Sequence, residues 1–239
     1  MKITYLLIDF FTIIIPLVFS FHPKLNFHKR WKAFFISNLL TIVLFAAWDI
    51  YFTGLGVWGF NPRYITGIYF FNLPMEEILF FICIPFACVF TYHCMNIFFN
   101  FRWNAGFEIV FTIFLSLALL IAGIYYHAKI YTSSVFISLS LLLLLIKFIL
   151  KVKWFPKLLT IYPLLLIPFF VVNGILTGSG LQEPVVWYNE SEKMDIRLST
   201  IPLEDVFYGF EMILVTVFFY ENFISSSTKK APANTEASS

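Results

Sequence analysis

Charge is what this sequence has least of. Asp, Glu, Lys and Arg together make up 13% of its 239 residues, against roughly 25% in soluble proteins. That scarcity excludes a disordered chain and the polar surface of a cytoplasmic enzyme. The net charge of +2 offers no basic footprint for nucleic acid. Cysteine is sparse too. Cys83, Cys88 and Cys94 fall in one apolar stretch, too few and too closely grouped for a disulfide-stapled secreted fold, and without zinc-ligand spacing. They read as small apolar core residues. Walker A, H-E-x-x-H and aspartate-rich diphosphate motifs are absent, and no metal site is expected. The last hydrophobic span, about 201–225, holds no lysine, so the Schiff-base attachment of a retinal protein is excluded. Gly54-Leu55-Gly56-Val57-Trp58-Gly59 spells G-x-G-x-x-G, but a dinucleotide site needs a strand before it and a helix after it. A hydrophobic span precedes it and Asn61-Pro62 follows, so the match is discarded.

Apolar residues are abundant instead: 60% of the chain, with a mean hydropathy of +0.84 and 21% aromatic residues, 32 of them Phe. A transmembrane helix needs roughly 20 apolar residues. Seven spans are legible, at about 3–21, 33–53, 74–97, 105–126, 130–150, 156–177 and 201–225. The first carries no small-residue cleavage site and is expected to remain as a helix. The class expected is therefore all-α, a polytopic membrane helical bundle. Two connections are long, Gly54 to Leu73 and Gly178 to Thr200. Residues 226–239, rich in Ser, Ala, Thr and Lys, read as a disordered tail. Of the 16 Lys and Arg residues, most lie in 22–32, 97–104, 147–157 and the C-terminal segment. The positive-inside rule then puts the C-terminus in the cytoplasm and both long loops outside.

An internal repeat organises the chain. Leu73-Pro74-Met75-Glu76-Glu77 matches Ile201-Pro202-Leu203-Glu204-Asp205 at an offset of 128. Phe90 and Tyr92 meet Phe218 and Tyr220 at the same offset. Asp49 meets Asn173 at 124, and Val57-Trp58 resembles Val186-Trp187. The organisation expected is a three-helix repeat over 1–104, a linker helix over 105–129 and a second three-helix repeat over 130–225. Three helices, one linker and three helices put both halves in one orientation, with a pseudo-two-fold axis along the membrane normal, as in parallel-repeat transporters.

Each Pro-x-acid-acid sequence is expected to open a helix, with Pro74 and Pro202 in the first turn, where a missing N–H is harmless. The acids then meet the positive end of the helix dipole. Glutamate at a helix start is common and by itself implies no chemistry. Two pairs in register at the ends of membrane helices point further, because carboxyl groups crowded in a dry site can hold a proton at neutral pH. Asp9, about 9 Å into the first span, and Asp49, about one turn inside the second, approach the same end with Asn173. Ionisable groups inside a bilayer are functional candidates by default, with interhelical hydrogen bonding as the alternative. Glu211 follows Glu204 on the same helical face. Glu108, Glu221 and His93 are expected to reach water at the opposite ends.

At these residues the sequence resembles a known family. Gly-Val-Trp-Gly-Phe-Asn-Pro at 56–62, Leu-Pro-Met-Glu-Glu-Ile-Leu-Phe-Phe at 73–81 and Ile-Pro-Leu-Glu-Asp at 201–205 look like the membrane-integral lycopene cyclases. These occur as two small subunits or as one fused chain, and the fused form would account for the repeat. His93 and Glu211 depart from the pattern. The resemblance nominates Glu76, Glu77, Glu204 and Asp205 as acid–base residues. It implies a non-redox isomerisation of lycopene end groups to β-ionone rings, through a carbocation, in the cell (inner) membrane. No cofactor is expected, and neither is the dinucleotide fold of the flavin-dependent cyclases. The implied partners are a lipid-soluble carotenoid, membrane lipids and other carotenoid-pathway enzymes, with no nucleic acid. Trp58, Phe80, Phe81, Trp187, Phe207 and Tyr208 stand beside the acids, where aromatic faces would stabilise a cation; ordinary packing is their plainer reading. Two other classes compete. A proton-coupled transporter would hold its acids near the midplane, and an inactive carotenoid- or lipid-binding membrane protein would not need them.

Overall fold

The computed structural model describes residues 2–230. Its helices are α1 (Thr4–Phe19), α2 (Trp31–Gly54), α3 (Met75–Phe98), α4 (Ala105–Tyr125), α5 (Ile130–Leu144), α6 (Phe155–Leu176) and α7 (Leu203–Lys230). Five helical segments, Phe27–Gly54 (which includes α2), Met75–Phe98, Ala105–Tyr125, Ile130–Ile149 and Phe155–Leu176, are long and apolar enough to cross a membrane. The fold is thus an all-α membrane bundle. α1 is shorter at 16 residues, about 24 Å at 1.5 Å per residue. α7 carries Glu204, Asp205, Glu211 and Glu221, which lower its hydropathy. It runs on through residues 226–230, which were expected to belong to a disordered tail; residues 231–239 of that tail lie outside the described residues.

Large apolar side chains cover the outer faces, among them Phe10, Phe11, Leu39, Val43, Phe114 and Ile121. A soluble protein would bury them; a bilayer solvates them. The interior is held partly by polar contacts that hydrocarbon makes worthwhile. The Asn38 amide donates to the Phe81 carbonyl at 3.0 Å, joining α2 to α3, and Thr216 donates to Thr41 at 3.2 Å, joining α7 to α2. α4 packs along α5, where Gly123 leaves room for Ile137: a Cβ there would lie 2.8 Å from that side chain. Glu108 does not reach water; it is buried and pairs with Lys147 at 2.7 Å. His93 also turns inward, its Nε2 2.8 Å from the Leu25 carbonyl. Glu221 stays partly exposed, as expected, while accepting from the Tyr92 hydroxyl at 2.8 Å.

Both long loops contain short strands. β1 (Trp58–Phe60) pairs antiparallel with β4 (Val186–Tyr188), Gly59 facing Trp187. Asn61 N–H donates to the Val185 carbonyl and Asn189 N–H to the Val57 carbonyl, each at 2.8 Å. These two bonds are exchanged by the 128-residue offset, so the loops meet as two-fold partners do. β2 (Tyr69–Phe70) pairs with β3 (Leu73–Pro74), and β5 (Arg197–Leu198) with β6 (Ile201–Pro202). These hairpins too are related by 128, down to left-handed turn residues at Phe71 (φ 54°) and Ser199 (φ 61°). Pro74 and Pro202 end strands instead of occupying the first helical turn: Pro74 has φ −65° and ψ 151°, an extended helix cap. α3 and α7 begin one residue later.

Candidate functional site

The hairpins deliver each acid pair to the first turn of its helix, and 3.6-residue periodicity then turns the two acids of a pair in different directions. Glu76 points back toward its loop, where Oε1 accepts from the Thr66 N–H at 2.7 Å. Glu204 does the same ten residues from its own partner: Oε1 accepts from the Met194 N–H at 2.8 Å and from the Thr132 hydroxyl. Both are fully enclosed, at 1% and 0% exposure. Glu77 and Asp205 face the other way, into a cleft of about 1010 Å³ with its open mouth included.

Both halves of the repeat contribute to that cleft. Beside the two acids it is walled by Tyr5, Asp49, Trp58, Phe60, Phe80, Tyr131, Asn173, Val186, Tyr188 and Tyr208. Below them the lining becomes apolar: Ile84 and Cys88 of α3, Leu165, Pro168 and Phe169 of α6, and Met212 and Ile213 of α7. From Glu77 to Cys88 along α3 the wall is about 16 Å deep. Its polar end is thus a ring of carboxyl, amide and phenol groups beside a largely apolar space that also holds Thr12 and Tyr162.

Each acid in the cleft is met by phenols. Tyr5 donates to Glu77 Oε2 at 2.6 Å, and Tyr208 to Asp49 Oδ1 at 2.8 Å. Asp205 takes three bonds, from Tyr131 at 2.7 Å on Oδ1, and from Tyr188 at 2.8 Å and Asn173 at 3.0 Å on Oδ2. Asp49 lines the cleft together with Glu77. The two halves therefore repeat one triad, Tyr5–Glu77–Asp49 and Tyr131–Asp205–Asn173, with an acid in the first where the second has an amide. Tyr188, in the extramembrane strand, is held well above the usual phenol range by burial first and by the Asp205 carboxylate second, so it stays a donor.

Of the aromatic residues expected around the acids, Trp58, Phe80 and Tyr208 line the cleft. Trp187, Phe81 and Phe207 do not. Trp187 is 43% exposed because neighbours along a strand face opposite ways: Trp58 and Phe60 point in from β1, Val186 and Tyr188 from β4. Under the 128-residue offset Trp187 corresponds to Gly59, not to Trp58, and it lies over that glycine, whose Cβ would be 2.4 Å from Trp187 Cζ2. Phe81 is buried behind the cleft wall and Phe207 packs edge-on against Phe136 at 5.0 Å. Asp9 is 2% exposed, with neither oxygen hydrogen-bonded among the described residues. Glu211 accepts from Ser138 at 2.9 Å outside the cleft. Sequence reasoning missed Tyr5, Tyr131 and Tyr188. The 126-residue match of Tyr5 to Tyr131 was the available signal for two of them.

The comparisons agree with this two-part architecture. The family model described as Lycopene cyclase matches residues 2–95 and again residues 128–223, leaving α4 between the two matched regions. No curated protein and no solved structure matches the chain. With these two stretches together covering most of its length, the chain belongs to the lycopene cyclase family.

Proposed function

We propose that this member of the lycopene cyclase family closes lycopene end groups to β-ionone rings, giving γ-carotene and then β-carotene, without change of redox state. The observation that carries the reading is the gathering of Asp49, Glu77 and Asp205 at one end of a deep, largely apolar cleft. A proton adds to the terminal double bond and leaves a tertiary cation. The next double bond attacks that cation and closes the ring. Loss of a proton from the ring carbon at the former double bond completes a net isomerisation. Such chemistry needs an acid, a base and the exclusion of water. Trp58, Phe80 and Tyr208 present π faces at the depth where positive charge develops, each worth roughly 0.5–2 kcal/mol by cation–π attraction.

Glu77 and Asp205 carry the proton chemistry in this reading. Glu76 and Glu204 hold the loops at Thr66 and Met194 that roof the cleft, a positioning role instead of the acid–base role the resemblance nominates. The acids stand at helix starts, not at the midplane position a proton-coupled transporter requires. A cleft about 16 Å deep receives roughly half of a polyene about as long as the 30 Å hydrocarbon layer, so the ends react one at a time. The substrate comes from membrane lipid, the C-terminus is cytoplasmic, no cofactor takes part, and other carotenoid-pathway enzymes supply and remove the carotenoids in the cell (inner) membrane.

Expression in lycopene-accumulating cells with chromatography of the pigments tests this. Monocyclic carotenoid should precede bicyclic carotenoid. Lycopene left unchanged by inserted, folded protein would refute the activity.

A further inference from the structure

At the membrane surface opposite the acids, where α4 begins, α5 ends and α6 begins, the linker helix meets the second repeat in a basic cleft. Glu108 stands in the first turn of α4, Lys147 in the last turn of the span Ile130–Ile149, and Pro156 at the start of α6. With Lys151, Val152 and Lys153 of the connection to α6 they line a space of about 510 Å³, its open mouth included. Lys147 is already committed, pairing with the buried Glu108 carboxylate at 2.7 Å. Lys151 and Lys153 are exposed and have no salt bridge among the described residues. The cleft therefore holds three cations to one anion. Its backbone departs from regular geometry as well. The Leu150 N–H donates to the Leu145 carbonyl, five residues back, at 2.9 Å; such π turns recur at functional sites. Lys151 then takes a left-handed conformation, φ 50°, which is costly for a residue with a Cβ. The equivalent turn of the first half puts Asn26 there, at φ 48°, a residue type that tolerates it.

We propose that this cleft binds the headgroup of an anionic phospholipid, its phosphodiester held by Lys151 and Lys153. Position and charge identify the occupant. Three membrane spans end here, so phospholipid headgroups are the anions within reach, and basic pockets between membrane helices suit them. A zwitterionic headgroup would leave the excess positive charge unanswered, whereas a net negative one answers it. Apolar side chains flank the cleft where acyl chains would lie. Phe107, Val110 and Phe114 run down an exposed face of α4, and Phe148 and Ile149 are exposed at the end of the neighbouring span. A lipid so held ties α4, most of which lies outside both matched family regions, to the second repeat. The site stands apart from the acid-lined cleft and does not depend on the cyclase reading.

The test titrates the delipidated full chain, in non-ionic detergent, with dioleoylphosphatidylglycerol or dioleoylphosphatidylcholine, reading bound lipid by native mass spectrometry and stability by thermal melting. Wild type should retain phosphatidylglycerol in preference to phosphatidylcholine and melt higher with it. A lysine near a charged membrane surface is worth about fivefold in binding, so Lys151→Asn with Lys153→Gln should weaken phosphatidylglycerol about thirtyfold. Asparagine keeps the left-handed turn, so this variant should melt like wild type without lipid. Lys153→Gln alone, outside that turn, should weaken binding about fivefold. Lys24→Gln with Lys29→Gln removes two exposed lysines from the α1–α2 connection on the same membrane side and should leave binding unchanged. Equal loss in the two double variants would reduce the effect to general surface charge and overturn the site. Unchanged binding in Lys153→Gln and in the Lys151→Asn double variant, or equal retention of the two lipids by wild type, would overturn it too. Displacement of phosphatidylglycerol by equimolar inorganic phosphate would assign the cleft to a soluble anion and refute the lipid.

Discussion

Glu76 and Glu77 are neighbours of the same type, and Gln substitution should separate them sharply. In Glu76→Gln the side-chain oxygen still accepts from the Thr66 N–H, which lies 2.7 Å away in the native protein. What changes is the strength of that bond. A hydrogen bond of this kind contributes about 0.5–1.5 kcal/mol, so weakening or losing it costs at most about 1.5 kcal/mol. If all of it appeared in the positioning of the roof over the cleft, turnover would fall by at most about tenfold. Expressed as stability it would lower the melting temperature in detergent by about 2–6 °C. In Glu77→Gln the cleft loses a group that can hold and move a proton, and general acid–base catalysis contributes about 10²–10⁴. Rates of β-ring formation in isolated membranes, with melting curves on the same preparations, read both numbers. A Glu76→Gln protein as inactive as Glu77→Gln yet melting like wild type would refute the division between roof-holding and cleft-facing acids. The second half offers an independent repeat, with Glu204→Gln mild and Asp205→Asn severe.

Gly59→Ala should destabilise the paired loops by about 1–3 kcal/mol, because its Cβ would lie 2.4 Å from the rigid Trp187 ring; thermal melting should show the loss, and Trp187→Ala in the same chain should recover it. A Cβ at Gly209 would be 3.5 Å from Phe169 and from the Tyr162 hydroxyl, so Gly209→Ala should fold well, whereas Gly209→Leu should fill the cleft and leave lycopene uncyclised in pigment chromatograms. In the second loop, burial opposes ionisation of Glu190, but hydrogen bonds from Lys193 and Arg197 prevail and hold its carboxyl below the usual range. Its stabilising contribution is therefore complete above the ordinary glutamate range and lost as pH falls through the depressed value; limited proteolysis of residues 178–200 should quicken over that acid interval, and Glu190→Gln should remove the step. Tyr188, raised by burial and Asp205, makes its full contribution below pH ~10 and loses it only above its raised value. Cyclisation should accordingly show no alkaline decline that Tyr188→Phe abolishes below that pH.

The spans were legible because apolar length is a direct reading of the bilayer's thickness, and α3, α4 and α5 begin within a residue of where hydropathy puts them. The acid motifs were legible because a duplicated charge in hydrocarbon is hard to explain otherwise. What escaped depends on direction. Sequence places Glu76 and Glu77 together, but a 100° step around the helix decides that one meets a backbone N–H and the other a cavity. Likewise Trp58 and Trp187 look equivalent by type, yet strand pairing gives Trp187 the place of Gly59 and sends it outward. The phenols on the acids were hidden because Tyr5, Tyr131 and Tyr188 lie on α1, α5 and β4, far along the chain from Glu77 and Asp205, in elements whose own patterns carry no acid motif.

The repeat bears on why one chain would suit the proposed cyclisation. A symmetric dimer of either half would face two identical triads across its axis. Protonation and loss of a proton take place at different carbons of one end group, and identical triads would offer both steps the same chemistry. Fusion lets the halves diverge at single positions while the shared hairpins and the β1–β4 pair keep them in register. Asp49 against Asn173, Phe60 against Tyr188 and Phe80 against Tyr208 are divergences that reach the cleft. The same asymmetry extends below the acids, where α6 lines the apolar wall at Leu165, Pro168 and Phe169 while its counterpart α2 contributes only Asp49. On the other flank Phe45 and Trp48 of α2 pack against Tyr208 at 5.3 and 6.1 Å. A pseudo-symmetric frame thus carries a one-sided cleft, which under the proposed cyclisation would admit the ends of a symmetric polyene in turn.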